Sequence, residues 1–339
     1  MTYSKLGNIK GPQGRRGLNM TGGATTPPTA GEDVLEGDLW LDSVTGDVYR
    51  ATDPWSKDDS WHTWNTVLWK VADNTLMVQP LDGDTGTMGE GGRVTFCMTA
   101  PWCDSSINPS RDSMTSVRSK GNVVVGENSG ALFFYNKSLT DLSSISNWNV
   151  SSVTDMGAMF NYCLHLADLS PISNWDVSGV TGVRGIFQGC ESLTDLSPVS
   201  NWNISGVTDM GYMFDGCTSL TDISALSGWD MSSVTDMGGM FQCCDSLTDI
   251  SPLSGWNMSG VTIMGGMFNQ CPLERIGVPS LEHGGRNFVS KLKDASAVTS
   301  MDTTMLTNTT THETMSANQI IADMDANPSK YSTGTIWTL

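Results

Sequence analysis

Apolar side chains return in the same phase every 27 residues across the middle of this 339-residue chain. One column is Trp148, Trp175, Trp202, Trp229 and Trp256, and a second is Phe160, Phe187, Phe214, Phe241 and Phe268. Val153, Val180, Val207, Val234 and Val261 form a third, and Cys163, Cys190, Cys217, Cys244 and Cys271 a fourth. Met156, Met210, Met237 and Met264 make a fifth, with Val183 as its conservative exception. A unit this short cannot bury its own apolar face, so copies must stack and share one core. The close spacing of the columns suits a short strand, a turn and a single-turn return, not long helices. The pattern predicts a mostly β chain built on a solenoid of about five coils, each adding one rung ~4.8 Å from the next.

Within a coil, Cys190–Val199 places apolar side chains at every third position, and Val207-Thr-Asp-Met210 repeats a Thr-Asp-apolar phrase. Both are predicted to be extended. Gly211–Cys217 is predicted to turn, because the adjacent Met213 and Phe214 cannot both point inward from a strand. Each Trp should roof a corner of its coil with the indole N–H bonded to backbone. The five in-phase cysteines fit buried small hydrophobes, since a regular ladder does not bring their Cβ atoms to disulfide geometry. Cys97 and Cys103 leave one pairing open.

The phrase around each Trp, as in Asn201-Trp-Asn-Ile-Ser-Gly-Val-Thr-Asp-Met-Gly-Tyr-Met-Phe-Asp-Gly-Cys217, resembles the repeat of BspA-like bacterial surface proteins, a divergent branch of the leucine-rich repeats. The resemblance covers residues 139–273 and implies a leucine-rich-repeat-like solenoid used in adhesion or surface recognition, with no catalytic residues to carry over. Ile263 replaces the Asp of three other coils and Pro272-Leu-Glu breaks the continuation, as a terminal capping coil should.

The flanks differ from the repeats. Residues 1–31 carry Lys5, Lys10, Arg15 and Arg16 among glycines and prolines, with no acid in the first twenty, and read as an anchoring arm and linker on an acidic body. Residues 32–96 read as a small β module. In it Leu39 and Leu41 alternate with polar or aromatic neighbours, turn at Ser43–Gly46, and resume at Val48 as a hairpin. Trp55, Trp61, Trp64 and Trp69 are assigned to its core. Residues 97–138 read as a β cap, with Gly121–Val125 and Ala131–Tyr135 as strands. Residues 274–339 read as a short α/β cap, where Ser316-Ala-Asn-Gln319 is a capping box and Thr335–Leu339 a closing strand. The basic start, Pro-Pro linker and Gly-Asp-Leu-Trp-Leu-Asp hairpin together resemble the virion-proximal modules of tailed-phage fibre proteins.

Charge narrows the function classes. A formal net charge of −18 disfavours nucleic acid and bare anionic lipid, because little here could replace the counterions of a phosphate surface. Met1–Lys10 has no apolar signal region and no stretch reaches membrane-spanning length, so no membrane insertion is expected. The aspartates Asp141, Asp168, Asp195, Asp222 and Asp249 form a polar column whose neighbours, near 5 Å apart, would repel by ~0.8 kcal/mol per pair in water. Capping of turns, a string of calcium sites, or an edge bonding carbohydrate hydroxyls would each offset that. Calcium is therefore the one cofactor left open. A glycosidase needs one asymmetric carboxylate pair, whereas a repeated Asp is the same environment five times over. His62, His165, His283 and His312 have no triad or metal spacing, so no enzyme is expected.

These readings together predict a phage virion structural protein, a tail fibre or fibre-like adhesion protein. Its arm would join other virion proteins, and its repeats would meet a host-surface glycan or protein. It would be made in the host cytoplasm and released by lysis as a homo-oligomer. A bacterial BspA-like surface adhesin is the alternative, and a polysaccharide depolymerase the second.

Overall fold

The structure, a computed structural model, describes residues 2–8, 20–22, 39–41, 47–52, 62–64, 67–80, 85–87, 100, 103, 111–127, 129–296 and 298–339. Contacts divide the chain into two compact units, Met1–Trp61 and His62–Leu339. Regular structure is mostly β, in mixed sheets, with two α-helices among the described residues.

The first unit is a four-stranded sheet ordered β1-β4-β3-β2, built from β1 (Thr2–Asn8), β2 (Met20–Gly22), β3 (Leu39–Leu41) and β4 (Asp47–Thr52). The predicted hairpin is present as the antiparallel β3–β4 pair, with Trp40 opposite Tyr49. Lys5, read from the sequence as part of the basic arm, lies within β1 and pairs with Tyr49, where Thr2–Asn8 supplies an antiparallel edge to β4. Lys10, Arg15, Arg16, the Pro-Pro linker, Trp55, Trp61 and Cys97 lie outside the described residues.

The second unit opens with β5 (His62–Trp64), β6 (Val67–Ala72), β7 (Thr75–Pro80) and β8 (Thr85–Thr87). β7 runs parallel to β9 (Ser116–Ser119), and β8 runs parallel to β10 (Asn122–Val124). β9 and β10 then bridge in parallel to Asp141 and Asn149 of the first repeat. Residues 112–138 thus bond in parallel to the first repeat in the same phase that the repeats keep among themselves. Ala131–Tyr135, predicted to be a strand, is a run of turns whose Ala131, Phe133 and Tyr135 N–H groups bond to Gly157, Met159 and Asn161 at 2.8 Å. Its composition is β-like because Leu132 and Phe133 fill the positions of Met159 and Phe160 in the shared core.

Each coil turns by the same rule. In Met210–Cys217 the N–H groups of Met213, Asp215 and Cys217 bond back three residues, while those of Met210, Tyr212, Phe214 and Gly216 bond to the next coil at 2.8–2.9 Å. Every backbone donor of the turn is therefore used, alternately within the coil and between coils. This requires two left-handed residues per coil, Tyr212 (φ 57°) and Gly216 (φ 72°) here, as at the third position of tight turns. On the opposite side, Ser170–Ile172, Ser197–Val199 and Ser224–Leu226 are single turns of 3-10 helix where extended chain was expected. Apolar residues every third position match three residues per turn, and Pro171 and Pro198 at the second place of two of them preset φ.

The core runs unbroken from Leu76 to Trp337. The rings of Phe133, Phe160, Phe187, Phe214, Phe241 and Phe268 stack at 5.4–6.2 Å with interplanar angles of 1–14°. Phe288 then closes the column edge-on at 5.5 Å. Phe288 sits on α1 (Gly285–Lys291), which begins the far end. There β11 (Asp249–Ile250) pairs in parallel with β12 (Arg275–Val278), continuing the rung. β15 (Thr335–Thr338), β13 (Met305–Asn308) and β14 (Thr314–Ser316) extend the sheet antiparallel. α2 (Ala317–Ala326) opens on the predicted capping box, with Ser316 Oγ accepting the Gln319 N–H and Gln319 Oε1 accepting the Ser316 N–H.

Candidate recognition surface

The aspartate column is built from short loops preceding each 3-10 turn. Asp141, Asp168, Asp195, Asp222 and Asp249 each accept, through Oδ1, the N–H of the serine two residues on, at 2.7–2.9 Å. They are Asx turns. Two further columns do the same work, and the sequence reading did not single them out. Asn149, Asp176, Asn203, Asp230 and Asn257 cap the serine two residues later, and Asp155, Asp209 and Asp236 cap Gly157, Gly211 and Gly238. The signal was visible: Asx-x-Ser and Asp-x-Gly recur at fixed phase beside the apolar columns. Hydrogen bonds from Ser197, Ser178 and Ser232 hold the carboxyls of Asp195, Asp176 and Asp230 below the usual carboxylate range. Among the described residues no group of three or more His, Cys, Asp or Glu side chains is placed to hold a metal ion.

The in-phase tryptophans and the five in-phase cysteines are buried. The indole N–H groups of Trp175, Trp202, Trp229 and Trp256 donate to Ile145, Ile172, Val199 and Leu226 carbonyls of the preceding coil at 2.9–3.3 Å. Trp148 differs: its buried Nε1 has no partner among the described residues, because the preceding repeat carries β9 where the others carry a 3-10 turn. Each of the five column thiols contacts a phenylalanine carbonyl one coil back, as Cys217 does with Phe187 at 3.3 Å. Burial pushes them well up, Cys271 to about 12.

Outside the core, polar side chains form lines along the stack. Thr181, Thr208, Thr235 and Thr262 each donate a hydroxyl to the threonine carbonyl one coil back. Asn161 Nδ2 donates to Gln188 Oε1 at 2.7 Å, and Gln188 Nε2 to Asp215 Oδ2 at 2.8 Å. Burial raises the Asp215 carboxyl above its ordinary range. The left-handed corners carry Tyr135, Tyr162 and Tyr212 where other repeats carry glycine, alanine, Cys243 or Gln270. The rings of Tyr135 and Tyr162 lie 4.7 Å apart, tilted by 33°, and the Arg184 guanidinium lies 4.9 Å from the Tyr212 ring.

Comparison with known proteins adds one relationship. Residues 127–224 and 193–274 match the family described as Mycoplasma protein of unknown function, DUF285, a family linked with BspA-like surface repeat proteins. No curated protein and no solved structure matches the chain. The family match begins at Glu127, inside residues 112–138, in keeping with the extra Phe133 ring found there.

Proposed function

We propose that the chain is a recognition protein whose stacked coils form a leucine-rich-repeat-like solenoid, carried on a phage virion as a fibre-like structural component and presented to a host surface. The observation that carries this reading is the repetition itself. Six coils share one apolar column, and their polar side chains stand in lines along the stack. Such a line offers one long surface of similar sites, which suits binding across an extended partner. The repeated carboxylates are engaged in capping turns and give no asymmetric pair for acid–base chemistry. The virion setting follows from the basic, Gly-Pro-rich start and its resemblance to fibre attachment modules.

A bacterial surface adhesin of the BspA-like kind is the second reading, favoured by the family match over residues 127–274. Negative-stain images with antibody raised against residues 139–273 separate the two. Label on particles is the expected result. Label confined to envelopes of uninfected cells would overturn the virion setting and leave the adhesin.

A further inference from the structure

Three asparagines of one turn-capping column open the phrases Asn149-Val-Ser, Asn203-Ile-Ser and Asn257-Met-Ser. An asparagine with a hydroxyl residue two places on, and no proline between, is the acceptor phrase of asparagine-linked glycosylation. Their surroundings suit that chemistry. In each, Oδ1 accepts the N–H of the serine at 3.0–3.3 Å and its hydroxyl at 2.7–2.8 Å. Two donors on Oδ1 draw charge toward the oxygen and fix the plane of the amide. The other end of the amide is left over: Nδ2 donates to no group among the described residues. Asn149 and Asn203 are exposed and Asn257 is half-buried, so these nitrogens stand at the surface.

The same phrase occurs where the fold forbids the reaction. Asn136-Lys-Ser and Asn308-Thr-Thr have the spacing, but both asparagines are buried, and Asn136 Nδ2 faces Cys103 Sγ at 3.8 Å. One more, at Asn19, lies outside the described residues. Within the exposed column the intervening repeats carry Asp176 and Asp230, which cap their serines in the same way and have no nitrogen to offer. Acceptors therefore recur at every second rung, about 10 Å apart. A hexose with its hydroxyls is wider than one rung. Sugars on neighbouring rungs would collide, whereas alternate rungs leave each its own space.

We infer that Asn149, Asn203 and Asn257 are acceptors for asparagine-linked sugar, delivered by a separate transferase from a donor whose anomeric carbon is activated by diphosphate. Nδ2 attacks that carbon. The C–N bond forms as the C–O bond to the diphosphate breaks, and the diphosphate leaves with the bonding pair on its nucleotide or lipid carrier. One amide proton passes to a base of the transferase, and nothing is oxidised or reduced. The serine N–H and hydroxyl on Oδ1 hold the amide in one orientation, with its nitrogen turned toward the donor. The product is a line of three sugars along one edge of the stack. This modification does not depend on whether the stack is carried on a particle or on an envelope.

Peptide mapping by mass spectrometry, on the full chain purified from the cells that make it, reads the sites. Sugar adducts are expected on the peptides of Asn149, Asn203 and Asn257 and not on those of Asn136 and Asn308. The adduct mass separates the carriers, a single hexose for a nucleotide and an oligosaccharide for a lipid. In vitro, the folded recombinant chain with UDP-glucose and a soluble asparagine glucosyltransferase should take glucose at the same three positions. A Glu-C digest should take it at Asn136 and Asn308 as well. Ser205→Ala should lose the sugar at Asn203 and keep the other two, and Ser205→Thr should retain all three. Asp176→Asn, which adds an acceptor between two others, should lower occupancy at Asn149 or Asn203. Bare asparagine at all three positions in the chain from its own cells would overturn the inference. So would modification of Asn136 and Asn308 in the folded chain as readily as of the other three. None of these results bears on whether the stack meets a host surface, which the antibody images read separately.

Discussion

Arg184 reaches across two coils to Asp236, donating from Nη1 at 3.0 Å while the same nitrogen lies 3.3 Å from Asp209. It stands in the one coil of Asp155, Gly182, Asp209 and Asp236 where the acid is absent, so the cation appears beside the gap in the column. Arg184 is about half exposed, at 47%, so the pairing is screened. Replacing Arg184 with Ala should lower stability by about 0.5–1 kcal/mol at low salt, counting the Tyr212 contact. In 1 M NaCl the difference should shrink to the aromatic part. Urea melts at the two salt concentrations check this, and a salt-independent loss would assign the role to packing alone.

The indole ladder offers an internal control. Trp202 Nε1 donates to the Ile172 carbonyl at 3.1 Å, whereas Trp148 Nε1 is buried without a partner among the described residues. Substitution by Phe removes similar apolar volume at both places but a hydrogen bond at only one. Trp202→Phe should therefore cost about 1 kcal/mol more than Trp148→Phe. Equal losses in chemical denaturation would show that the indole bond adds nothing net.

Much of this was legible because repetition multiplies weak signals. The Phe and Cys columns could be assigned to the interior from phase alone, and they are fully buried. The capping box at Ser316 and the strand β15 were legible from local chemistry. What the pattern hid was conformation within a coil. Ser197-Pro-Val199 reads as extended by its spacing, yet forms a 3-10 turn because its apolar period is three. The phase of residues 112–138 was hidden differently: Gly121 stands where Trp148 would be one coil later, so the strongest marker is missing and only Phe133 keeps the phase.

The cysteines should separate sharply by reactivity. Cys103 and the five column thiols are buried, and burial raises their pKa values, to about 12 at Cys103. Cys243 is only partly buried, on a left-handed corner with Sγ 3.5 Å from Gln270 Oε1. The thiolate is the reacting species, so brief alkylation of the native chain at pH 7.5 should modify Cys243 first among these seven. Peptide mass spectrometry checks the order. Early labelling of Cys217 or Cys190 would mean that the stack opens under native conditions.

Turn capping by aspartate makes a pH prediction. Asp195 accepts from the Ser197 backbone and hydroxyl, and its pKa in the fold lies below the ordinary value of 3.8. A depressed carboxylate contributes stability that is fully present above its unfolded pKa and lost as pH falls through the folded one. Melting temperature should therefore fall below about pH 4, and Asp195→Ala should flatten part of that fall while Asp195→Asn, which keeps the acceptor, lowers stability less. Because Oδ1 of each column aspartate already accepts a serine N–H, chelator should leave the melt at pH 7 unchanged. A drop on adding EDTA would restore calcium to this column.

Asp215 predicts the opposite sign. It stands in a column whose other members are Asn161, Gln188, Gln242 and Asn269, and burial holds its carboxyl above the ordinary range. A raised carboxyl disfavours the charged form in the fold, so the penalty is complete above the folded pKa and vanishes as pH falls below the unfolded value. Gln188 Nε2 donates to Oδ2, a bond that an amide oxygen can accept equally well. Asp215→Asn should thus raise the melting temperature at pH 7 and leave it nearly unchanged at pH 3, where the native residue is already protonated. A variant less stable than the parent at pH 7 would mean that the negative charge is itself compensated, and the nearest cations would then have to be sought on a bound partner.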